Sequence, residues 1–214
     1  MNSANLRALR TRAVCALAIL TSVGALTHDA DAQQVGGSGY GISVRTFFTR
    51  TQSPVASLPS DGGYVLGEAA SFGVPSMVAA KGLMAVATGS VSDASEPVSA
   101  QTVSELASVN ILSGLVRADN VTAIASSFVN GSGAGSNADG SGFVGLVVNG
   151  AHIPADVAPN TRIDVPFVGY VVLNEQVRSG NGSTSSGITV NMIHVRLLNG
   201  ADIVVGSASS RAYR

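Results

Sequence analysis

Apolar and polar residues alternate along most of the chain, with the two-residue period of β-strands. Residues 40–50 mix small, apolar and polar side chains in this way and predict a first strand. The stretches 64–92 and 100–129 are rich in Val, Ala, Ser and Thr, and each is long enough for two strands, with breaks near Gly82 and near residues 119–120. The helix formers Lys, Glu and Gln are scarce.

The strongest alternation lies in the C-terminal part, where turn residues separate three apolar runs. Tyr170–Arg178, Ile188–Leu198 and Asp202–Ser210 predict an antiparallel three-stranded meander. Asn199-Gly200 is a pair favoured by two-residue type I′ turns, and a tight turn there would place His194 opposite Val205. Strict alternation puts one set of side chains on one face of the middle strand: Ile188, Val190, Met192, His194, Arg196 and Leu198.

These patterns predict an all-β fold. The architecture we expect is an antiparallel, jelly-roll-like β-sandwich that ends in the three-stranded meander, with a β-solenoid-like stack as the alternative. Residues 33–214 are expected to form a single domain, because this length and a hydrophobic fraction of 45% suffice for one core. Within it, the Gly, Ser and Asn of residues 130–142 predict a flexible, exposed loop.

Residues 1–32 have the pattern of a secretory signal peptide. Three Arg precede an apolar run over residues 13–26, and Ala30-Asp31-Ala32 predicts cleavage near Ala32. The run is shorter than the roughly 20 residues of a membrane-spanning helix, and no later run reaches that length, so we expect no integral membrane segment in the mature chain. Cys15 would leave with the signal, and the periplasm, the cell surface or the extracellular space is the predicted location.

Charge limits the classes of partner. Only 12% of residues are charged, and after removal of residues 1–32 one Lys and eight Arg face eleven acidic residues. The cations are scattered along the sequence without interleaved aromatic residues, which argues against a nucleic-acid partner. The same scatter argues against docking on anionic lipid by charge.

The motifs of common cofactor and nucleophile sites do not fit their required context. The G-x-G-x-x-G string at 140–145 follows a loop and enters a strand, whereas dinucleotide binding needs it between a strand and a helix. No Ser has Gly two residues away on both sides, as a hydrolase elbow requires. The mature chain has His152 and His194 but no Cys, so we expect no zinc site and no cofactor.

Two further sets of polar residues are possible sites. Asn137, Asp139 and Ser141 place oxygen atoms at alternate positions, but they lack the glycine and terminal Glu of a calcium loop, which favours a solvated loop. Glu175 lies in an apolar strand, and Asp164 or Asp202 is a possible second carboxylate for glycoside hydrolysis. Sugar clefts use aromatic platforms, and the chain has no Trp and four Tyr.

Five segments resemble the choice-of-anchor P family of bacterial exported proteins. They are VVLNEQ (171–176), ITVNMIHVRLL (188–198), DIVVGSASS (202–210), YGISV (40–44) and VNILSGLVRADNVTA (109–123). The resemblance implies export to an extracytoplasmic or surface setting, and it implies no activity, catalytic residue or cofactor. The chain departs from the family in showing no C-terminal attachment signal. The polar members of the motif, of unassigned role, are Asn174, Glu175, Gln176, Asn191 and His194.

The function that the sequence favours is an exported, non-enzymatic structural, adhesive or binding module of the cell envelope or extracellular space. The alternative is a secreted polysaccharide hydrolase that uses paired carboxylates. The partner is unassigned, and attachment to the cell envelope is one possibility. Self-association is another, because long strands with few charges can pair edge to edge.

Overall fold

The computed structural model describes residues 33–91 and 97–214, which lie in one compact unit. The signal peptide expected at residues 1–32 lies outside the described residues. Within them the chain is almost entirely β, and it contains no α-helix and one short 3₁₀ turn, Leu112–Gly114. Fifteen strands are present: β1 (Gln34–Arg45), β2 (Arg50–Leu58), β3 (Gly62–Val74), β4 (Val78–Ser90), β5 (Val98–Ile111), β6 (Val116–Ala118), β7 (Asn120–Asn130), β8 (Gly133–Asn137), β9 (Gly142–Val144), β10 (Val147–Val148), β11 (Ala151–His152), β12 (Thr161–Val165), β13 (Gly169–Gly180), β14 (Ser185–Leu197) and β15 (Asp202–Tyr213).

The strands form two antiparallel sheets that pack face to face, so the predicted all-β sandwich is confirmed and the solenoid-like alternative is not adopted. Sheet one has the order β12-β13-β14-β15-β1-β2. Sheet two has the order β11-β10-β6-β5-β4-β3, and β7 pairs with β5, β8 and β9. The chain passes between sheets only after β2 and after β11, so its strand order is mainly one of consecutive hairpins. The jelly-roll order that the sequence analysis favoured would alternate between sheets more often.

The sandwich interior has two apolar clusters of different character. The larger is built from branched side chains such as Ile42, Leu106, Val121 and Ile193, which come from both sheets. The smaller is dominated by alanines from both sheets, Ala56, Ala85, Ala87, Ala100 and Ala212. Small side chains let the sheets approach closely at this second cluster.

The alternation of side chains reverses along one row across each sheet. In sheet one this reversal row contains one residue from each of β13, β14, β15 and β1: Asn174, Met192, Gly206 and Gly41. None of the four has a partner in the cross-strand register. Asn174 and Gly206 have φ of 50° and 62°, which turns the following residue to the opposite face. The prediction of one uniform face for β14 is therefore wrong. Ile188, Val190 and Met192 point inward, but beyond the row Ile193 and Val195 do so, and His194 points outward.

The turn between β14 and β15 also differs from the predicted one. Leu197 N donates to Ala201 O, and Gly200 N donates to Leu197 O, which defines a three-residue loop of the bulged type. Only Gly200 has positive φ in this turn. The extra residue shifts the register by one position, so His194 pairs with Val204 and not with Val205.

Residues 130–142 are not a single flexible loop, and that prediction is corrected. Residues 133–137 form β8, which pairs with the end of β7. A backbone ladder needs no apolar side chains, so a Gly- and Ser-rich segment can pair with an open edge. Ser136 Oγ further donates to Gly187 O of β14. In the part of the chain that the structure describes, no helix is long and apolar enough to cross a membrane.

Candidate functional site

The outer face of sheet one carries a connected set of polar side chains, which we name the His194 network. It contains Glu175 of β13, Asn191 and His194 of β14, Asp202 and Ser207 of β15, and Arg45 of β1. Four adjacent strands contribute, and the register places Glu175 beside Asn191, Asn191 beside Ser207, and Asp202 beside Arg45. The reversal row brings these residues to one face, because it turns His194 outward to the side that Asn191 and Glu175 already occupy.

His194 lies at the centre of the network, between two carboxylates. Its Nδ1 is 2.8 Å from Glu175 Oε2, and its Nε2 is 2.5 Å from Asp202 Oδ1. The side chain of His194 is 6% exposed, while the two carboxylates are partly exposed at the surface. Both ring nitrogens are therefore engaged, and the ring is buried beneath its partners.

These contacts determine the protonation of the ring. A carboxylate oxygen only accepts hydrogen bonds, so a proton is needed on Nδ1 and on Nε2, and we assign His194 as the imidazolium. Arg196 Nε lies 3.3 Å from His194 Nε2. With a proton on that nitrogen the approach cannot be a hydrogen bond, and Arg196 acts as a second positive charge beside the carboxylates.

The network shifts the pKa values of both central groups. Burial disfavours the charged ring, but the hydrogen bond and charge of Glu175 and the charge of Asp202 outweigh it and raise the pKa of His194 above 6.5. The hydrogen bond from His194 is the largest cause at Glu175, where burial opposes it. Together with Asn191 and the charges of His194 and Arg196, it lowers the pKa of Glu175 to about 2. Both groups are charged at mildly acidic pH.

Glu175, His194 and Asp202 form the central triad, and hydrogen bonds continue on both sides of it. Asn191 Nδ2 donates to Glu175 Oε2 at 2.7 Å, and Ser207 Oγ donates to Asn191 Oδ1 at 2.7 Å. On the other side Arg45 Nη2 donates to Asp202 Oδ2 at 2.8 Å. A shallow depression of about 230 Å³ lies over the Asp202 side and is lined by Tyr40, Ser43, Arg45, Arg50, Asn191, His194, Asp202 and Val204.

Three of the five motif residues, Glu175, Asn191 and His194, belong to the network, and two do not. Asn174 lies in the reversal row, and its Nδ2 donates to Val157 O. Gln176 Nε2 donates to Asn174 Oδ1. The Asn174 amide thus holds the loop before β12 against the sheet, and the Gln176 amide holds Asn174 in place.

The remaining candidates from the sequence lie elsewhere. Asp164 is 72% exposed and pairs with Arg162 at 2.7 Å, so of the two possible partners of Glu175 only Asp202 reaches the network. His152 lies exposed in the short strand β11. Ser141 Oγ accepts from Ile124 N, which gives it a structural role in holding the segment after β8. Residues 142–144 of the G-x-G-x-x-G string form β9.

Arg45 and Ser207 are members of the network that the sequence did not single out. Arg45 is far from Asp202 along the chain, and nothing in its local sequence indicates a partner. Ser207 is one of many Ser residues in the C-terminal strands. The pairing of β1 with β15 joins Arg45 to the site, and the pairing of β14 with β15 joins Ser207 to it.

The hydrogen bonds within the network limit the reactions that its side chains could catalyse. A general base needs a free ring nitrogen, and both nitrogens of His194 hold carboxylates. A glycosidase acid needs a carboxyl group of raised pKa, and the pKa of Glu175 is lowered. Within residues 33–91 and 97–214, no three His, Cys, Asp or Glu side chains are grouped as metal ligands.

Comparison with known proteins gives no match: no family model, no curated protein and no solved structure resembles the chain significantly.

Proposed function

We propose that the protein is an exported, non-enzymatic binding or structural module of the cell envelope or the extracellular space. The observation that carries the proposal is the saturation of His194 by Glu175 and Asp202. An ion triad in which each hydrogen-bonding position of the ring is taken stabilises a surface and leaves no group free for proton transfer. The export part of the proposal is supported by the pattern of residues 1–32.

Hydrolysis of a polysaccharide is the competing function, and the charges on the network disfavour it. Glu175 is ionised at pH values well below those at which a glycosidase acid must be protonated. Asp202 is held by His194 and Arg45 at once. Glu175 therefore has no proton to deliver to a leaving group, and Asp202 is already engaged by two hydrogen-bond partners.

The enzymatic alternative is tested with the folded protein and two matched variants, E175Q and D164N. Release of reducing sugar from a panel of plant, bacterial and chitinous polysaccharides is expected to stay at the level of the buffer for all three proteins. Hydrolysis by the unmodified protein that E175Q abolishes, while D164N retains it and both variants stay folded, would overturn the proposal.

Export is tested separately by expressing the full chain in a bacterial host and fractionating the cells. We expect the protein outside the cytoplasm, with Gln33 as its first residue by mass spectrometry. A variant with Arg at positions 30 and 32 is the control, because signal peptidase requires small residues there. Cytoplasmic protein that keeps residues 1–32 would contradict the proposal.

A further inference from the structure

Three hairpin turns at one end of sheet one carry large apolar side chains in nearly full solvent exposure, and we name this end the hairpin tips. Phe47 and Phe48 lie in the β1–β2 turn and are 90% and 88% exposed. Phe167 in the β12–β13 turn is 99% exposed, and Leu198 in the β14–β15 turn is 75% exposed. None of the four contributes to the sandwich core.

The register shows that the three turns lie at one level. Asp164, Tyr170, Arg196, Asp202, Arg45 and Arg50 form a single row in which each residue pairs with the next across all six strands. The exposed apolar residues follow this row by two or three positions in every hairpin, so they project roughly 7–10 Å beyond it. The centres of neighbouring turns are two strand spacings apart, or roughly 10 Å. The β12–β13 and β14–β15 turns are in direct contact, because Leu198 N donates to Val168 O at 2.9 Å.

The geometry of Phe167 adds a second observation. Its φ is 63°, in the left-handed region that costs a bulky residue about 1–2 kcal/mol and that Gly or Asn would adopt with less strain. The ring contributes no burial in return. Exposed aromatic residues kept in strained turns are typical of binding surfaces.

Positive charge is concentrated directly behind the hairpin tips. Arg45, Arg50 and Arg196 belong to the register row, and Arg162 stacks on Tyr170 with its guanidinium carbon 3.8 Å from the ring centre. These are four of the eight arginines that follow residue 32. With charged His194 they face the carboxylates Asp164, Glu175 and Asp202, which leaves two excess positive charges in a chain whose formal charge is −1.

The shape of this end favours a fluid partner over a folded one. Each turn presents one or two exposed apolar side chains, and the turn centres lie about 10 Å apart, so a rigid protein would need a matching contact for each turn. The interfacial region of a bilayer accommodates separate apolar groups to a depth of about 5–10 Å, which matches the projection of the hairpin tips. Guanidinium groups set back by that distance would lie at the level of lipid phosphates, which they bind bidentately.

We propose that the hairpin tips dock the protein on a bilayer that contains anionic phospholipid. Phe47, Phe48, Phe167 and Leu198 enter the interface, and Arg45, Arg50, Arg162 and Arg196 contact the headgroup phosphates. The inference rests on the proposed function, because it names the partner of an exported binding module. The cations are scattered along the sequence, which argued against lipid docking. The fold nevertheless brings arginines that are more than a hundred positions apart together at one end of a sheet.

The test is sedimentation with protein-free vesicles of one part phosphatidylglycerol to three parts phosphatidylcholine, beside vesicles of phosphatidylcholine alone. The chain from Gln33 is used, because its compact unit has its own core and residues 13–26 would themselves bind lipid. We expect binding to the mixed vesicles that weakens as salt is added. The variant F47S/F48S/F167S/L198S should bind at least about tenfold more weakly, since each lost side chain removes apolar burial.

Matched variants distinguish docking through the hairpin tips from non-specific adsorption of exposed apolar side chains. Y64S/V144S/V177S removes exposed apolar side chains away from the hairpin tips and should bind as the unmodified protein does. R50E should weaken binding about tenfold, whereas R211E, a charge reversal at the opposite end of the sheet, should change it less than about twofold. All variants should keep the unmodified melting temperature, because the substituted side chains are exposed.

Three outcomes would overturn the lipid proposal. They are no binding to either vesicle, equal binding of the hairpin-tip variant, and a dimer in sedimentation equilibrium that the hairpin-tip variant abolishes. The last result would assign the end to self-association. None of them bears on the hydrolysis assay, so failure of lipid docking remains distinct from failure of the non-enzymatic proposal.

Discussion

Thr102 of sheet two donates its hydroxyl to the backbone carbonyl of Ser209 in sheet one, at 2.8 Å across the interior of the sandwich. Ser104 Oγ donates to Tyr40 O at 2.9 Å, and Ser127 Oγ lies 2.7 Å from Ser210 Oγ, so these contacts, like that of Thr102, join the two sheets. They occur beside the alanine-rich cluster, where small side chains bury less apolar area. Hydrogen bonds between the sheets thus supply part of the stabilisation that larger apolar side chains would provide at this cluster.

The inter-sheet hydrogen bonds are tested by T102V. The substitution keeps the shape of the side chain but removes the donor, and we expect a loss of about 1–2 kcal/mol in the free energy of unfolding, measured in urea. T88V is the control, since Thr88 makes a 3.4 Å bond near the surface of the same sheet. It should change stability by less than about 0.5 kcal/mol. Equal effects of the two substitutions would mean that the interior bond contributes no more than the surface bond of Thr88.

The His194 network predicts a maximum of stability between pH 4.5 and pH 6.5. The folded-state pKa of His194 lies above 6.5, so its contribution is complete below pH 6.5 and is lost as the pH rises through that raised pKa. The pKa of Glu175 falls from 4.5 to about 2, so its contribution is complete above pH 4.5 and is lost as the pH falls toward 2. Urea unfolding at stepped pH measures both limbs.

Two substitutions at the triad distinguish the limbs of that profile. H194Q should flatten the alkaline limb, because the titrating ring is gone, and E175Q should remove the part of the acid limb that Glu175 causes. H152Q changes an exposed histidine and should leave the profile unaltered. An alkaline limb that persists unchanged in H194Q would show that another group causes it.

The two aspartates considered as partners of Glu175 should respond very differently to amidation. D202N weakens contacts to His194 and Arg45 and leaves a buried imidazolium with one carboxylate, so we expect a loss on the order of 2 kcal/mol. D164N removes an exposed pair with Arg162 and should cost less than about 0.5 kcal/mol. Thermal unfolding of both variants at pH 6 provides the measurement, and similar losses would contradict the assigned burial.

The reversal row is tested by G206A. Gly206 has φ of 62°, and an added Cβ would lie 2.9 Å from Val121 Cγ1 of the opposite sheet, so we expect a loss of about 2 kcal/mol. G36A is the control in neighbouring β1, because its Cβ would meet only ordinary contact at 3.9 Å. It should be neutral or slightly stabilising, since Ala restricts the unfolded chain. A harmless G206A would show that the row tolerates ordinary strand geometry.

Much of the fold is predictable from sequence because alternation and turn residues are local signals. The C-terminal meander was predicted close to its observed bounds, and β13, β14 and β15 each contain nearly all of the expected run. The register was missed by one position, because Asn199-Gly200 suits both a two-residue turn and the longer bulged loop. The choice between them depends on which pairing buries more apolar surface, and that is a property of the whole sheet.

The candidate site was predictable only in part. Glu175, Asn191 and His194 stand out as polar residues in apolar strands, but strict alternation places His194 and Asn191 on opposite faces of β14. The reversal at Met192 brings them together, and its cause is distributed over positive φ at Asn174 and Gly206 on neighbouring strands. Arg45 joins through long-range pairing, for which a single sequence holds no signal.

The pairing of the first described strand with the last has a consequence for how the chain acquires its structure. Gln34 lies opposite Tyr213, and β1 lies between β15 and the edge strand β2 in sheet one. A chain that leaves a ribosome or an export channel N-terminus first cannot complete this sheet until β15 has emerged. The pairing of β1 with β15 therefore forms late, and closing so long a loop makes folding slow. The topology itself delays completion of the sheet until the C-terminal strand is available.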